Sequence, residues 1–426
     1  MGRELPRGAC FGWPKWCYLC GMPKAMRITT LLGPALVAGV AYLDPGNVAS
    51  NMTGGARYGY LLVWVVVVGN LMAWLIQYLS AKLGIVTGQS LPEVLGSRIT
   101  NRTGRIAYWL QAEAVAMATD IAEIIGGAVA LYLLFGLPLL WGGAITGAVS
   151  LLLLALRGRS GPRPFEYIVI GLLLIIVIGF SVGVFVGPPD PAGVLGGLLP
   201  RFAGADSVLL AASILGATIM PHAIYAHSAL SRDRFADRAP ELTTARLLTA
   251  TRWDVSIAMV VAGTVNLAIL LLAAANLAGV SGTDSLEGAH AALAAGLGTT
   301  VATLFAIGLL ASGLASTSVG AYAGSEIMAG LLHRQFPPLF RRLVTLVPAL
   351  GILMIGVDPT FALVMSQVVL SFGIPFALVP LIWLTSRRSV LGEFRNRPIT
   401  SVLGTIAAIL IASLNAVLLV LIFTGN

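Results

Sequence analysis

The sequence predicts an all-α polytopic membrane protein, and three observations support this fold class. Of the 426 residues, 57% are hydrophobic and 10% are charged, whereas soluble domains carry about 25% charged residues. The apolar residues are gathered into runs long enough to cross a bilayer as helices. Two of these runs are interrupted by a proline in mid-membrane, Pro45 and Pro221. A pair of broken helices is typical of membrane folds built from two inverted repeats.

Eleven apolar segments are long enough to span the membrane: 31–56, 61–84, 106–135, 138–156, 165–187, 208–230, 253–278, 299–332, 342–357, 360–386 and 400–424. The interrupted segments are the first and the sixth, so we predict a 5+5 inverted repeat followed by one peripheral helix. An odd number of segments per repeat gives the second repeat the opposite orientation. The predicted divisions are a tail over 1–30, a first repeat over 31–187, a second repeat over 188–386, and a turn with the last helix over 387–426.

The basic residues predict the orientation of the chain in the membrane. Of the 26 Lys and Arg residues, all except Arg57 and Arg201 fall in the N-terminal tail or in the even-numbered turns. Cytosolic loops carry an excess of Lys and Arg, so we expect a cytosolic N-terminus and an external C-terminus, in a bacterial inner membrane. The net charge of +8 therefore reflects topology, and we expect no nucleic-acid partner.

The first interrupted segment carries a carboxylate beside its proline, in Ala41-Tyr42-Leu43-Asp44-Pro45-Gly46-Asn47. A charged side chain at the bilayer centre costs about 2.5–3.5 kcal/mol on insertion scales, and it marks a candidate functional site. Pro45 has no N–H to donate to the carbonyl of Ala41, four residues earlier. The side chains of Asp44 and Asn47 and the Ala41 carbonyl are therefore candidate oxygen ligands of a cation.

The second interrupted segment adds a sulfur atom, in Gly216-Ala217-Thr218-Ile219-Met220-Pro221-His222. By the same spacing, Pro221 leaves the carbonyl of Ala217 without its helical donor. The thioether of Met220 is a soft donor, which Ca²⁺ and Mg²⁺ do not favour. One sulfur among several oxygens favours Mn²⁺, Fe²⁺, Co²⁺ and Cd²⁺. The alternative is that Met220 only fills a gap in the core.

The third segment holds three acidic residues, Glu113, Asp120 and Glu123. Their spacing of seven and three residues places them on one stripe of a helix, over about 15 Å. Such a row of carboxylates suits a proton relay, and the alternative is a static ion-pair brace between helices. Candidate partners are one histidine and three arginines: His222, Arg234, Arg341 and Arg342.

Other function classes lack their motifs in this sequence. There is no Walker loop, no His-Glu-x-x-His pattern and no nucleophile with an adjacent base, so we predict neither an enzyme nor a bound cofactor. Cys10, Cys17 and Cys20 all precede the apolar body, which excludes a disulfide framework there. Glu326, in the eighth segment, is an isolated membrane carboxylate to which we assign no role.

The two interrupted motifs, Asp44-Pro45-Gly46-Asn47 and Met220-Pro221-His222, resemble those of the Nramp (natural resistance-associated macrophage protein) divalent-metal transporters. The resemblance runs from about residue 30 to the end of the chain. Supporting stretches lie at 87–88, 91–93, 109–113, 120–123, 311–313 and 366–371. Two positions depart from the family pattern: Ala223 stands where Asn is usual, and Ser325 where Gln is usual.

The resemblance implies a LeuT-type fold and proton-coupled import of Mn²⁺ or Fe²⁺. We expect a monomer in the lipid bilayer. It implies a metal-ligand set of Asp44, Asn47, Ala217 and Met220, with Ala41 and Gln367 joining in some conformations. It also implies that protons are handled by Asp44, His222, Glu113, Asp120, Glu123 and the arginines Arg234, Arg341 and Arg342. The alternative function is amino-acid or amine transport, in which Asp44 pairs with the substrate amine.

Overall fold

The computed structural model describes residues 33–160, 162–235, 242–334 and 337–424, so the three cysteines lie outside the described residues. The described residues form α-helices and short 3₁₀ turns, and no β-strand occurs among them. The helices are α1 (Pro34–Val40), α2 (Pro45–Tyr58), α3 (Val63–Thr87), α4 (Leu91–Arg98), α5 (Arg102–Phe135), α6 (Leu139–Ser160), α7 (Pro162–Val186), α8 (Pro191–Gly196), α9 (Ala205–Thr218), α10 (Pro221–Phe235), α11 (Thr244–Asn276), α12 (Leu286–Leu297), α13 (Thr299–Leu332), α14 (Pro338–Met354), α15 (Pro359–Ser386), α16 (Arg388–Leu391) and α17 (Pro398–Thr424).

Eight helical stretches among these residues are long and apolar enough to cross a membrane: Pro45–Thr87, Arg102–Phe135, Tyr167–Val186, Ala205–Phe235, Thr244–Asn276, Thr299–Leu332, Pro359–Ser386 and Pro398–Leu421. Two shorter apolar helical stretches, Pro34–Leu43 and Leu139–Leu153, cover parts of the first and fourth predicted segments. The ninth predicted segment corresponds to α14, which has 17 residues. The all-α membrane class follows directly, whereas the count of eleven spans and the repeat boundaries stay predictions.

Both interrupted helices are present. In the first, α1 ends at Val40, a 3₁₀ turn covers Ala41–Leu43, and α2 begins at Pro45. In the second, α9 ends at Thr218 and α10 begins at Pro221. A proline at the first position of a helix loses no hydrogen bond, because that N–H has no partner inside the helix. Each proline therefore starts a new helix and divides its membrane segment in two.

The two interruptions are held in place by close backbone contacts with neighbouring helices. A Cβ atom on Gly126 of α5 would lie 2.0 Å from the Cβ of Pro45. A Cβ atom on Gly216 of α9 would lie 2.0 Å from the carbonyl oxygen of Gln367 in α15. Only glycine leaves room for such approaches. As a result, α5 packs against the first break, and α15 packs against the end of α9, just before the second break.

The start of α1 is fixed by a carboxylate from α11. The Asp254 oxygens Oδ1 and Oδ2 accept hydrogen bonds from the backbone N–H groups of Gly33 and Ala35, at 3.1 and 2.9 Å. The first N–H groups of a helix have no partner within it and carry partial positive charge. Asp254, which is buried, therefore joins the beginning of the broken helix to the bundle.

A polar cluster ties α4, α10 and α13 together at the end of the bundle where the even-numbered turns carry most of the Lys and Arg residues. We call this the basic end. Ser90 and Glu93 form a capping box at the start of α4. Arg232 of α10 contacts Glu93 Oε2 at 2.5 Å and Glu326 Oε2 at 3.1 Å. Although burial raises the pKa of Glu93, hydrogen bonds from Ser90 and Arg232 lower it below its usual value overall. The expectation that Glu326 is isolated was wrong, because its partner lies 94 residues away in sequence.

Candidate functional site

Polar groups surround the first break and form hydrogen bonds with the backbone groups that have no partner within a helix. Asp44 caps α2, with its Oδ1 accepting from the backbone N–H of Asn47 at 2.8 Å. The carbonyl of Tyr42 accepts from the amide groups of Asn47 and Asn266, at 2.5 and 3.1 Å. The hydroxyl of Ser312 donates to the carbonyl of Leu43. The carbonyls held by side chains are thus those of Tyr42 and Leu43, whereas the sequence pointed to Ala41.

The two breaks meet through side chains of α2 and α15. Asn47 Nδ2 lies 3.4 Å from the carbonyl oxygen of Ala217 at the end of α9. Gln367 Nε2 donates to Asp44 Oδ2 at 3.1 Å. Asp44, Asn47, Ala217, Met220 and Gln367 are all 0% exposed. The structure therefore brings Asp44, Asn47, Ala217 and Gln367 together in direct contact, within one enclosed region.

Met220 and Ala41 are the remaining predicted ligands, and both are buried at the breaks. Met220 lies in the link between α9 and α10, and its backbone carbonyl accepts from the N–H of Ile224 at 3.3 Å. Ala41 begins the 3₁₀ turn that leads to Asp44. Their parts in coordination stay predictions.

The groups in contact around Asp44 are mixed: its carboxylate is accompanied by the amides of Asn47 and Gln367 and, through Asn47, by the Ala217 carbonyl. No group of three or more His, Cys, Asp or Glu side chains able to hold a metal occurs among the described residues. Gln367 Oε1 is buried and has no hydrogen-bond partner among the described residues, so this oxygen is available as a ligand for a cation. A single charged ligand with neutral donors suits an ion that must bind and then leave again.

The acidic row on α5 forms ion pairs with two consecutive arginines of α14. Arg341 contacts Glu113 Oε1 at 2.8 Å and Asp120 Oδ2 at 2.9 Å. Arg342 contacts Asp120 Oδ1 at 2.8 Å and Glu123 Oε2 at 3.1 Å. Arg342 also donates to Ser150 and Thr317, at 3.0 and 3.1 Å. Asp120 bridges both guanidinium groups, so in this conformation the row has the geometry of a brace between α5 and α14.

His222 and Arg234 lie at opposite ends of α10, and His222 contacts the helix that carries the acidic row. His222, the second residue of α10, packs against α5, with its Nδ1 3.2 Å from the Oγ1 of Thr119, the residue before Asp120. Arg234 lies near the end of α10, two residues after Arg232. The predicted participation of both residues in proton handling stays a prediction.

A cavity of about 290 Å³ opens at the end of the molecule opposite the basic one, and sequence reasoning did not find it. Its lining includes Asp206, Asp284 and Asp358, and Arg57 pairs with Asp284 at 3.2 Å. We call it the acidic vestibule. These aspartates lie in odd-numbered connections or at their edges, so the scarcity of basic residues on that side was the available signal.

Polar groups connect the acidic vestibule to the first break. Val364 of α15 lines the vestibule, and its carbonyl accepts from the hydroxyl of Ser213 at 3.1 Å. Ser213 Oγ lies 2.6 Å from the hydroxyl of Ser50, which in turn lies 2.7 Å from the carbonyl of Gly46. A chain of hydroxyl and carbonyl oxygens thus connects the acidic vestibule with Gly46, close to Asp44.

A further buried network was missed because its members are separated in sequence. Gln77 of α3 donates to the hydroxyl of Tyr42, and its Oε1 lies 2.6 Å from His227 Nδ1 in α10. Tyr42 precedes Asp44 by two residues, so this network links the first break to α3 and to the second half of the other broken helix. Single polar residues in apolar segments were the only signal for it.

Comparisons with known proteins agree with this arrangement. The family model described as "Natural resistance-associated macrophage protein-like" matches residues 35–421. The "Divalent metal cation transporter MntH" of Mycobacterium tuberculosis (strain ATCC 25618 / H37Rv) is 59% identical over 395 residues, covering 93% of this chain and 92% of the relative. The protein of the same name from Deinococcus radiodurans is 47% identical, covering 92% and 90%. These relatives are named as transporters rather than enzymes, as the sequence predicts.

Solved structures give the same result for the fold. A crystal structure of the Eremococcus coleocola manganese transporter, in complex with an aromatic bis-isothiourea substituted compound, has a TM-score of 0.83 and 33% identity, covering 93% of this chain and 87% of that one. The structure of MhsT in complex with L-phenylalanine has a TM-score of 0.59 at 13% identity and shows the fold alone. The LeuT-type fold class is confirmed, and the chain belongs to the Nramp family.

Proposed function

We propose that the chain is a proton-coupled secondary transporter that imports divalent transition-metal ions by alternating access. The observation that carries the proposal is Asp44, a fully buried carboxylate at a helix break that touches Gln367 and Asn47. Its neighbour Asn47 reaches the Ala217 carbonyl of the second break. Ligands drawn from two broken helices are typical of transporters with a midplane ion site.

The proposed substrate class follows from the donors and from the relatives. Oxygen donors alone would suit Ca²⁺ and Mg²⁺ as well, so discrimination falls to the thioether of Met220. The relatives named divalent metal cation transporters and the Eremococcus coleocola manganese transporter support this class. We propose Mn²⁺ and Fe²⁺ as substrates, with Cd²⁺ and Co²⁺ also accepted.

The proposed entry route begins at the acidic vestibule. Its aspartates give that cavity a negative potential, which raises the local concentration of cations. The ion would then pass Ser213 and Ser50 and reach Asp44. We propose that this end of the bundle faces outward and that the basic end faces the cytosol, in agreement with the distribution of Lys and Arg.

The proposed proton coupling rests on the balance of charge near α5. Three carboxylates, Glu113, Asp120 and Glu123, face two guanidinium groups, so the fully ionised cluster has one negative charge in excess. Metal binding favours the ionised form of Asp44, and the excess charge on the cluster provides a place for the released proton. Inward movement of each positive charge gains about 2.3 kcal/mol per 100 mV, which drives import.

Uptake into proteoliposomes tests the proposal. We expect saturable entry of Mn²⁺ and Cd²⁺ under a negative-inside potential, accompanied by proton movement followed with a pH-sensitive dye. Asp44→Asn removes the charged ligand and should lower metal uptake by about 100-fold, because contacts with a charged group contribute about 1.5–3 kcal/mol each. Asp190→Asn, on the exposed cap of α8, is the matched control and should transport normally.

Each other outcome of this experiment separates the alternatives. Metal entry without proton movement would contradict proton coupling and leave the α5 row as a brace. No metal entry, together with uptake of amino acids that depends on Asp44, would replace the proposal with amine transport. Equal loss in Asp44→Asn and Asp190→Asn would contradict the assignment of the site.

A further inference from the structure

A second cavity, of about 480 Å³, lies at the basic end of the bundle, away from Asp44. It forms where the last turns of α3 meet the first turns of α11 and the turn before α17. Its lining combines cationic side chains with aromatic and aliphatic ones. We call it the basic cavity. Its volume lies within the range of about 300–1,000 Å³ that is usual for small-molecule sites.

Four cationic side chains from three parts of the fold line the basic cavity: Lys82, Arg252, Arg395 and Arg397. Among the described residues, no acidic side chain lines it, and Glu393 in the adjacent turn is not part of the lining. Like charges gathered in one cavity repel each other. An anion bound among them would relieve that repulsion.

Two of these cations are held in place by neighbouring side chains, so the cavity is a preformed site. Lys82 is only 7% exposed, and its Nζ donates to the neutral Oδ1 of Asn396 at 3.1 Å. The guanidinium of Arg252 lies 5.4 Å from the ring centroid of Tyr78, a contact that orients the group without neutralising it. Buried positive charge is thus held in position by neutral partners.

The surroundings of the basic cavity are apolar and face outward from the bundle. Leu248, Phe394 and Ile399 contribute apolar lining. Ile399 is 67% exposed, and Trp253, which follows Arg252, is 59% exposed. Exposed tryptophan beside basic residues is typical of the headgroup level of a membrane. The cavity therefore combines a cationic interior with a rim suited to acyl chains.

We propose that the basic cavity binds the phosphate group of an anionic glycerophospholipid from the membrane leaflet at the basic end of the protein. The four cations bind the phosphate, and the apolar rim contacts the first part of the acyl chains. Basic pockets between transmembrane helices on the cytosolic side are suited to such headgroups. The site joins α3 and α11 to the turn before α17, and it is independent of the metal site proposed above.

Thermal stability of the delipidated full-length protein in neutral detergent tests this proposal. Dioleoyl phosphatidylglycerol should raise the Tm saturably, and native mass spectrometry should detect one retained lipid. Arg395→Gln/Arg397→Gln should require roughly 25-fold more lipid for the same shift, at about fivefold for each cation lost. The matched control is Arg102→Gln/Arg388→Gln, which removes two exposed arginines elsewhere and should respond like the unmodified protein.

The comparison ligands identify the source of the phosphate. Dioleoyl phosphatidylcholine, which has no net charge, should give no saturable shift, and an equal shift would contradict selection for an anion. Inorganic phosphate should act only far above the lipid concentration, and an equal shift would assign the cavity to a soluble phosphate instead. Equal lipid responses in both double variants would overturn the proposal. If Arg395→Gln/Arg397→Gln does not fold, Arg252→Gln replaces it, with a fivefold weaker response expected and an unchanged one contradictory.

Discussion

The two interrupted helices differ in how their free backbone groups are satisfied. At the first break, three side chains hold the carbonyls of Tyr42 and Leu43: Asn47 from the break itself, and Asn266 and Ser312 from two other helices. At the second break, the only side-chain donor to the carbonyls of residues 217–220 among the described residues is Asn47, at a long 3.4 Å from Ala217. The first break is thus held by several side chains, whereas the Ala217 carbonyl of the second break has only this one long side-chain contact.

This difference suggests a division of roles between the two halves of the site. We call the hydrogen bonds that Asn47, Asn266 and Ser312 donate to the carbonyls of Tyr42 and Leu43 the cradle. They hold the backbone that leads to Asp44, and loss of Ser312 would leave the buried Leu43 carbonyl without its side-chain donor. In the function proposed above, the second break would supply two donors for the transported ion, the Ala217 carbonyl and the thioether of Met220. The first break would thus determine whether a cation binds, and the second which cation is preferred.

Closing the gap between α5 and Pro45 should have the largest effect on stability and should disrupt the first break. In Gly126→Ala, the new Cβ would lie 2.0 Å from that of Pro45, and overpacking of this kind costs about 1–3 kcal/mol. We expect a lower Tm and a loss of metal uptake. Gly171→Ala on α7, where a Cβ meets no atom within 4 Å, should be neutral or slightly stabilising. Equal behaviour of the two variants would contradict the close contact at Pro45.

Removing one hydroxyl from the cradle tests whether its hydrogen bonds matter. Ser312→Ala leaves the buried Leu43 carbonyl without its donor, which should cost about 1–2 kcal/mol and weaken metal binding. Ser316→Ala is the matched control, because the Ser316 hydroxyl bonds only carbonyls of its own helix. The Tm and the Mn²⁺ affinity measured by calorimetry provide the readout. A larger loss for Ser316→Ala would mean that the first break is not specially supported.

The smallest effect is expected far from both breaks, at Glu93. Its pKa is lowered in the folded protein, so its contribution to stability is present above the unfolded pKa of about 4.3 and is lost as pH falls through the folded value. Because 39% of this side chain is exposed, we expect less than about 1 kcal/mol. The Tm of Glu93→Gln should lie below that of the unmodified protein at pH 7, and the gap should shrink toward pH 4.

A control variant at an exposed acid makes the Glu93 result specific. Glu393 lies in the short 3₁₀ turn Gly392–Phe394. The difference in Tm between Glu393→Gln and the unmodified protein should be the same at pH 7 and at pH 4. If the gap for Glu93→Gln stays constant from pH 7 to pH 4, the ion pair with Arg232 does not contribute through its ionised form.

Much of the site was predictable because its residues are unusual for a membrane helix. Asp44 with Pro45, and Met220 with Pro221, are out of place within apolar segments, and proline predicts the interruption by itself. The structure then places Asp44 beside Asn47 and Gln367. Gln367 came only from the family resemblance, since an isolated glutamine in an apolar segment does not indicate its partner.

The parts that were not predictable depend on contacts between distant segments. Asn266 and Ser312 reach the first break from α11 and α13. Ser312 lies in a stretch that supports the family resemblance, but neither residue's contact with the first break could be read from its own segment. Asp254 caps α1 across 221 residues of sequence. Glu326 looked isolated because its partner Arg232 belongs to another helix. Helical periodicity finds the face of a helix that is polar, but it does not determine which neighbour the face meets.

The division of roles between the breaks is tested most directly by metal selectivity at the second one. Calorimetric titration of the purified protein with Mn²⁺, Cd²⁺ and Ca²⁺ should be compared in the unmodified chain, in Met220→Ala and in Met354→Ala, whose side chain is 69% exposed on α14. We predict that Met220→Ala retains part of its Mn²⁺ affinity, loses most of its preference for Cd²⁺, and gains Ca²⁺ binding, while Met354→Ala is unchanged. Unchanged exclusion of Ca²⁺ in Met220→Ala would contradict the account.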